Sequence, residues 1–233
     1  MLRKLFDCFW NRFVHRPNTI ANNVKVWSNW DWSRHGEEWS NDAEWKQSLV
    51  DHVLRHYLTG RETLLEIGPG GGRWTEYLAP LARKLVVVDV TPVCIELCKE
   101  RFSNYSHISY VVNDGSDLSA LGDIRFDGIW SWDVFVHIAA ADIRTYVNQF
   151  ARLLNPGGVV VIHHSSGGVN RIGWRSDMTA AMMQEFCHEC GLVLERQFTS
   201  WADGRFRVWP DLPPELNPDT ISVLRKPAGH AGG

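Results

Sequence analysis

No apolar run in this chain approaches the ~20 residues that a membrane-spanning helix needs, so the sequence predicts no transmembrane span. Long polar or low-complexity tracts are missing too, which excludes extended disorder apart from frayed ends such as Lys226 to Gly233. A dominant charge of one sign is also absent: 24 basic and 27 acidic residues are interspersed, for a net charge of −3. Nucleic-acid binders carry a basic field because phosphate contacts supply most of their affinity, so no nucleic-acid partner is expected. Cysteine is sparse, at five residues. No signal peptide precedes them, which points to a reducing, cytoplasmic setting. Cys187 and Cys190 have a C-x-x-C spacing, and Cys94 and Cys98 lie one helical turn apart, but no second ligand pair completes a metal site. These read as ordinary buried cysteines.

What is present suffices for one sizeable core, since 44% of the 233 residues are hydrophobic. The sequence divides into an amphipathic-helix and Trp-rich cap segment at residues 1–41, a main domain at 42–226, and a flexible tail at 227–233. In the first part Leu2, Leu5, Phe6, Phe9, Trp10 and Phe13 recur at helical spacing among Arg3, Lys4, Arg12 and Arg16. Two readings fit this basic amphipathic helix: packing on the domain as a cover, or peripheral contact with an anionic inner-membrane surface. Trp27, Trp30, Trp32 and Trp39 follow among polar residues and read as a cap over a site.

From Thr63 the pattern alternates between β-branched runs and helical periodicity. Strands are predicted at Thr63–Ile67, Leu85–Val90, Ile108–Val112, Phe126–Trp132, Val159–His163, Leu192–Phe198 and Ile221–Arg225. Helices are predicted at Asp42–Leu58, Trp74–Ala82, Val93–Phe102, Ala140–Leu154 and Ser176–Cys190. This predicts an α/β doubly wound, seven-stranded, mostly parallel sheet with an antiparallel hairpin at its edge and an N-terminal helical cap.

Glu66-Ile67-Gly68-Pro69-Gly70-Gly71-Gly72 follows the first strand, where open α/β sheets bind ligands. Asp89 ends the second strand, suited to the two hydroxyls of a ribose. A dinucleotide fingerprint would place its third glycine where Arg73 stands. A carboxylate at Glu66 would repel a pyrophosphate and favour a ligand with an ammonium and a sulfonium, as in S-adenosyl-L-methionine. Asp114-Gly115 after the third strand can accept from an adenine amino group, although Asp-Gly is also an ordinary turn.

This ordered series, with Phe126-Asp127 opening the fourth strand and Leu153-Leu154-Asn155-Pro156-Gly157-Gly158 before the fifth, resembles the class I S-adenosylmethionine-dependent methyltransferases from about Asp42 to Arg225. The resemblance implies that Glu66, Gly68, Gly70 and Gly72 lie near the methionine part, Asp89 at the ribose and Asp114 with Gly115 at the adenine. It also implies that Ser131 and Trp132 close over the sulfonium side.

Methyl transfer needs alignment, exclusion of water and, for a hydroxyl nucleophile, a general base. His137 after the fourth strand, and His163 and His164 ending the fifth, are the candidates. Neighbouring strand residues point to opposite faces, so His163 and His164 are not expected to share a role. Asp133 can orient a histidine or act as a base. The Asp…Asp-Asn pattern of metal-dependent O-methyltransferases is absent, so no metal is expected. The loop from Ser165 to Arg175 offers Asn170, Arg171, Trp174 and Arg175 to a substrate. Phe135-Val136-His137, Ile162-His163-His164-Ser165 and the closing Asp219 to Pro227 segment are similar to sugar O-methyltransferases of bacterial surface-polysaccharide pathways. That similarity implies a glycan or small-molecule acceptor methylated on a sugar hydroxyl. Small-molecule O- or N-methylation, and a cofactor-binding interaction protein without catalysis, stay open. Nothing in the sequence sets an oligomeric state.

Overall fold

The computed structural model describes residues 18–168, 174–213 and 216–229. The amphipathic segment before residue 18, together with Asn170 and Arg171, lies outside them. No helix among the described residues is long and apolar enough to cross a membrane.

Helix α1, Ile20–Ser28, opens the described chain, capped by Thr19, whose side chain accepts from the Asn22 N–H. Two 3-10 turns, Trp32–Arg34 and Glu37–Trp39, complete the cap. Helix α2 runs as Ala43–Leu49, a π turn Val50–Leu54 and Arg55–Leu58. The alternation then gives β1 Thr63–Ile67, α3 Thr75–Leu78, β2 Lys84–Asp89, α4 Pro92–Arg101 and β3 Ile108–Val112. It continues with β4 Phe126–Phe135, α5 Ala140–Leu153, β5 Leu154–Ser165, α6 Ala180–Cys190 and β6 Val193–Phe198. A two-stranded hairpin, β7 Ser200–Trp201 with β8 Phe206–Arg207, precedes the last strand, β9 Asp219–Arg225.

The sheet order is β3-β2-β1-β4-β5-β9-β6. Strands β3 to β5 are parallel, and β9 is antiparallel to both β5 and β6. This is the Rossmann-like methyltransferase fold. Strands buried on both faces explain the unbroken apolar runs such as Leu85 to Val88. One face packs Leu64, Val87, Val161 and Val223 against Trp45, Leu49, Leu54, Trp74 and Ile95. The other packs Leu65, Val86, Ile129 and Ile162 against Ile143, Val147, Phe150 and Met183.

Strand β5 begins at Leu154 rather than Val159 and β9 at Asp219 rather than Ile221, and three further boundaries differ from the sequence pattern for identifiable reasons. Helix α3 stops at Leu78 rather than Ala82, because Pro80 lacks an N–H and its ring would clash with the preceding turn. Helix α6 begins at Ala180, where the Thr179 hydroxyl accepts from the Met182 N–H at 3.1 Å. Ser176, expected inside the helix, instead uses its hydroxyl to accept from the Met178 N–H. Strand β4 runs on to Phe135 through a register shift between Ser131 and Phe135. Asp133 sits in that irregularity with φ 60°, a left-handed conformation uncommon for a non-glycine residue. Because β9 runs antiparallel, its first residue, Asp219, pairs with Ser165 at the carboxyl end of β5.

Candidate active site

The glycine turn follows β1, and the Gly68 N–H donates to Val88 O at 2.8 Å, tying the turn to β2. Gly68 and Gly70 have φ of 70° and 56°. A Cβ at Gly68 would lie 2.3 Å from Val134 Cγ2, and one at Gly70 would lie 2.5 Å from Trp32 Cζ3. Glycine is needed there for conformation and for close approach alike. Gly72 also has positive φ and faces Phe102.

Around this turn the polar groups are buried. Glu66 accepts from the Thr75 hydroxyl at 2.6 Å through Oε2, while its Oε1 has no partner. Burial pushes the Glu66 carboxyl up to about 8 despite that hydrogen bond. On the other side of the glycines Arg73 donates from Nη2 to Asp133 Oδ2 at 2.5 Å and stacks 4.9 Å over Trp74. Its Nη1 is buried without a partner. Asp89 accepts from the Thr91 N–H and hydroxyl, both at 2.8 Å, and from the Gly70 N–H at 3.4 Å. Burial raises it to about 6 against those donors.

Asp114 is exposed and accepts from the Ser116 and Asp117 N–H groups through Oδ1, so it forms the turn as well as facing the β3 edge. Gly115 beside it meets Ile20 of the cap, with a Cβ there 2.8 Å from Ile20 Cγ2. Ser131 donates to Ile67 O at 2.8 Å, which fastens β4 to the end of β1. Trp132 is buried, stacked on His163 with ring centroids 4.4 Å apart.

The three histidines separate as strand geometry requires. His164 is fully buried, with Nδ1 2.7 Å from Ser165 O and Nε2 2.7 Å from Ser222 Oγ, and burial pushes it down to about 4. Both nitrogens are engaged in the framework. His163 faces the other way, with Nδ1 3.0 Å from Asp133 Oδ1 and Nε2 3.6 Å from Asp219 Oδ2. His137 is half-buried at the end of β4. Its Nδ1 lies 2.8 Å from Trp174 O, a group that only accepts, so Nδ1 carries the proton and Nε2 the lone pair. Burial, with Arg175 nearby, pushes His137 down to about 4, so the ring is neutral at pH 7.

Trp174 and Arg175 both reach this edge. Trp174 lies 4.4 Å from the His137 ring and stacks on Trp27 at 5.3 Å. Arg175 approaches Asp219 Oδ2 at 3.3 Å and covers Trp209. The sequence pattern placed Arg73 only as a missing glycine, gave no site role to Asp219 or Val134, and read Trp27 and Trp32 as part of a cap over the site. The signal for Asp219 was its position at the start of the last strand, informative only once that strand is known to be antiparallel. Among the described residues no group of three or more His, Cys, Asp or Glu side chains is arranged to hold a metal ion.

Part of the chain is similar to known methyltransferases. Residues 64–158 match a family model described as a methyltransferase domain. That segment contains Glu66, the glycine turn, Asp89, Asp114, Asp133 and His137; His163, Arg175 and Asp219 lie beyond it. Nodulation protein S of Bradyrhizobium diazoefficiens is 50% identical over 98 residues, 42% of this chain and 46% of that protein. Nodulation protein S of Sinorhizobium fredii is 36% identical over 129 residues, 54% of this chain and 59% of that protein. The chain spans about half the length of the curated relatives it matches. Among solved structures, N-methyltransferase NodS from Bradyrhizobium japonicum, in complex with S-adenosyl-L-homocysteine, aligns with a TM-score of 0.61. The identity is 19%, over 89% of this chain and 98% of that one, which speaks to the fold.

Proposed function

We propose that this chain, an S-adenosylmethionine-dependent methyltransferase by its domain match and its fold, methylates an amino group on a small polar or glycan acceptor, with His137 taking up the proton. The observation that carries the reading is a pair of orphaned polar atoms flanking the glycine turn, one on a carboxyl and one on a guanidinium. Glu66 Oε1 is an unused acceptor and Arg73 Nη1 an unused donor, both buried. A buried polar atom without a partner costs about 1–3 kcal/mol, so a ligand bearing an ammonium and a carboxylate relieves both. The amino-acid part of S-adenosylmethionine has those two groups. Asp89 would serve its ribose, and Asp114 with Gly115 its adenine.

When bound, this cofactor supplies a methyl group already activated by a sulfonium. The chain's own task is to orient the acceptor and hold its proton. His137 offers a neutral ring for that, with Nδ1 fixed on Trp174 O and the lone pair on Nε2, and contact with the acceptor has to raise its proton affinity from the low value that burial imposes. Trp27 and Trp174 flank the ring, with centroids 5.4 and 4.4 Å away. His164 takes no part, because both its nitrogens are bonded within the sheet.

The N-methyl reading draws on the relatives, one of which is described as an N-methyltransferase. A sugar hydroxyl is the second reading, favoured by His137, because a hydroxyl needs a base during attack more than a neutral amine does. A methyl-donor assay against amino sugars, neutral glycans and phenols separates the two. Turnover confined to phenols would overturn both.

The burial of Glu66 gives this reading a proton linkage. The carboxyl, at about 8 in the cofactor-free protein, is mostly protonated at pH 7. Pairing with an ammonium requires the ionised form, so binding releases a proton. Affinity for S-adenosylhomocysteine therefore rises with pH between about 6 and 7.5, approaching tenfold per unit. Calorimetry in two buffers of different ionisation enthalpy measures the proton count directly; release near zero at pH 7 would contradict the role of Glu66. Glu66→Gln should flatten the pH dependence.

A further inference from the structure

Five charged side chains form one buried file across the carboxyl edge of the sheet. Arg73 Nη2 lies 2.5 Å from Asp133 Oδ2. Asp133 Oδ1 lies 3.0 Å from His163 Nδ1, and the Asp133 N–H also points at that nitrogen, at 3.3 Å. His163 Nε2 faces Asp219 Oδ2 at 3.6 Å, and Arg175 Nη2 reaches the same oxygen at 3.3 Å. Trp209 Nε1 donates to it at 2.7 Å. The file runs from the glycine turn, through β4, β5 and β9, to the loop before α6. His163 is 2% exposed and Asp219 0%. The Asp133 side chain is the most exposed of the five, at 25% against 15% for Arg175, and it sits on a left-handed backbone. Backbone strain of this kind persists only where surrounding contacts over-determine it.

Nothing in proton transfer at His137 requires this arrangement, and buried charges of this kind contribute little net stability compared with apolar packing. We propose that His163 and Asp219 are positioning residues: they fix the Asp133 carboxylate, and through it the Arg73 guanidinium, so that the acceptor loop bearing Arg175 and the cofactor turn bearing Arg73 set each other's geometry. The proposal rests on the cofactor reading in one respect, that Arg73 Nη1 meets the cofactor's carboxylate.

The charge state of His163 follows from its neighbours. Asp133 faces it from β4 and Asp219 from β9. Arg73 and Arg175 stand behind those carboxylates, Trp132 covers the ring, and His164 on the same strand points away. Burial opposes a charged ring, but the two carboxylates outweigh it and hold His163 above the ordinary histidine range. A charged ring there pairs its Nδ1 with Asp133 Oδ1 at 3.0 Å, in competition with the Asp133 N–H aimed at the same nitrogen, while its Nε2 stands 3.6 Å from Asp219 Oδ2 as an ion pair without a hydrogen bond.

The test uses the full chain with Asp219→Asn, Asp219→Glu and Arg175→Gln. Two probes are titrated by calorimetry: S-adenosylhomocysteine, and 5′-methylthioadenosine, which lacks the amino-acid part. Ring-nitrogen NMR, assigned with His163→Gln, follows His163 against pH. The wild type should show an imidazolium at pH 7. Asp219→Asn should lower its titration midpoint by about one unit or more, and Asp219→Glu should restore it. Asp219→Asn and Arg175→Gln should weaken S-adenosylhomocysteine about fivefold or more and leave methylthioadenosine within about twofold. A neutral His163 in the wild type, an unchanged S-adenosylhomocysteine affinity in both variants, or equal losses for the two probes would each overturn the proposal. A wild type that binds neither probe sinks the cofactor reading, and the coupling with it. A wild type that binds both, with variants that do not respond, sinks the coupling alone.

Discussion

His137→Ala should lower methyl transfer by about 10²- to 10⁴-fold, the usual contribution of a positioned general base, with S-adenosylhomocysteine affinity nearly unchanged. The split follows from where the ring sits. His137 lies just past the end of β4, bonded to Trp174 O and flanked by Trp27, and the charged groups that act on it are Arg175, Asp133 and Asp219. Its low affinity for protons keeps it unprotonated down to about pH 4, so the activity profile should show no acid limb from this group between pH 5 and 7. A neutral amine acceptor needs the base less than a hydroxyl does, so a loss at the lower end of the range would itself favour N-methylation. Steady-state rates with either acceptor class check this. A variant with near-normal turnover on both would remove His137 from the mechanism.

Asp89→Ala should act on the other half of the site and weaken S-adenosylhomocysteine by about 100-fold or more. Two hydrogen bonds from ribose hydroxyls to a carboxylate are worth about 1.5–3 kcal/mol each, and a loss of about 2.7 kcal/mol is a hundredfold in affinity. Alanine also abandons the Thr91 and Gly70 N–H groups, which loosens the glycine turn. Asp89→Asn separates the two effects. Its carbonyl oxygen can still accept from Thr91, so thermal stability should hold, while its amide cannot accept from a second hydroxyl. Calorimetric affinity for the asparagine variant within twofold of wild type would mean that Asp89 serves only the turn.

The parallel half of the fold was legible because local chemistry dictates it. Thr63–Ile67 is an apolar run that ends in glycines, and Asp89 and Asp114 each follow a β-branched run, so strand ends and charges could be placed without tertiary information. The antiparallel insertion of β9 between β5 and β6 was legible only as a hairpin. Which of the two strands lies inside depends on packing across the sheet, and that decides whether Asp219 reaches the site. Arg73 was visible as a departure from a dinucleotide pattern, yet its partner Asp133 lies 60 residues on and is aimed by a left-handed φ that no aspartate sequence signal announces. His163 and His164 were correctly assigned to opposite faces by strand alternation. Which face met carboxylates and which met Ser222 depended on β9.

The cap bears on how a shortened version of the chain would behave. Ile20, Trp32 and His35 rest against Gly115, Gly70 and Gly71, and Trp27 stacks on Trp174. Residues 18–41 are therefore part of the wall of the site. A truncation that began at residue 42 would leave the sheet and α2 intact by sequence, yet it would bare three glycines and an indole face to water. Such a fragment would lose its ligand-binding walls before its fold, and would present a new sticky surface where the longer chain presents a closed one.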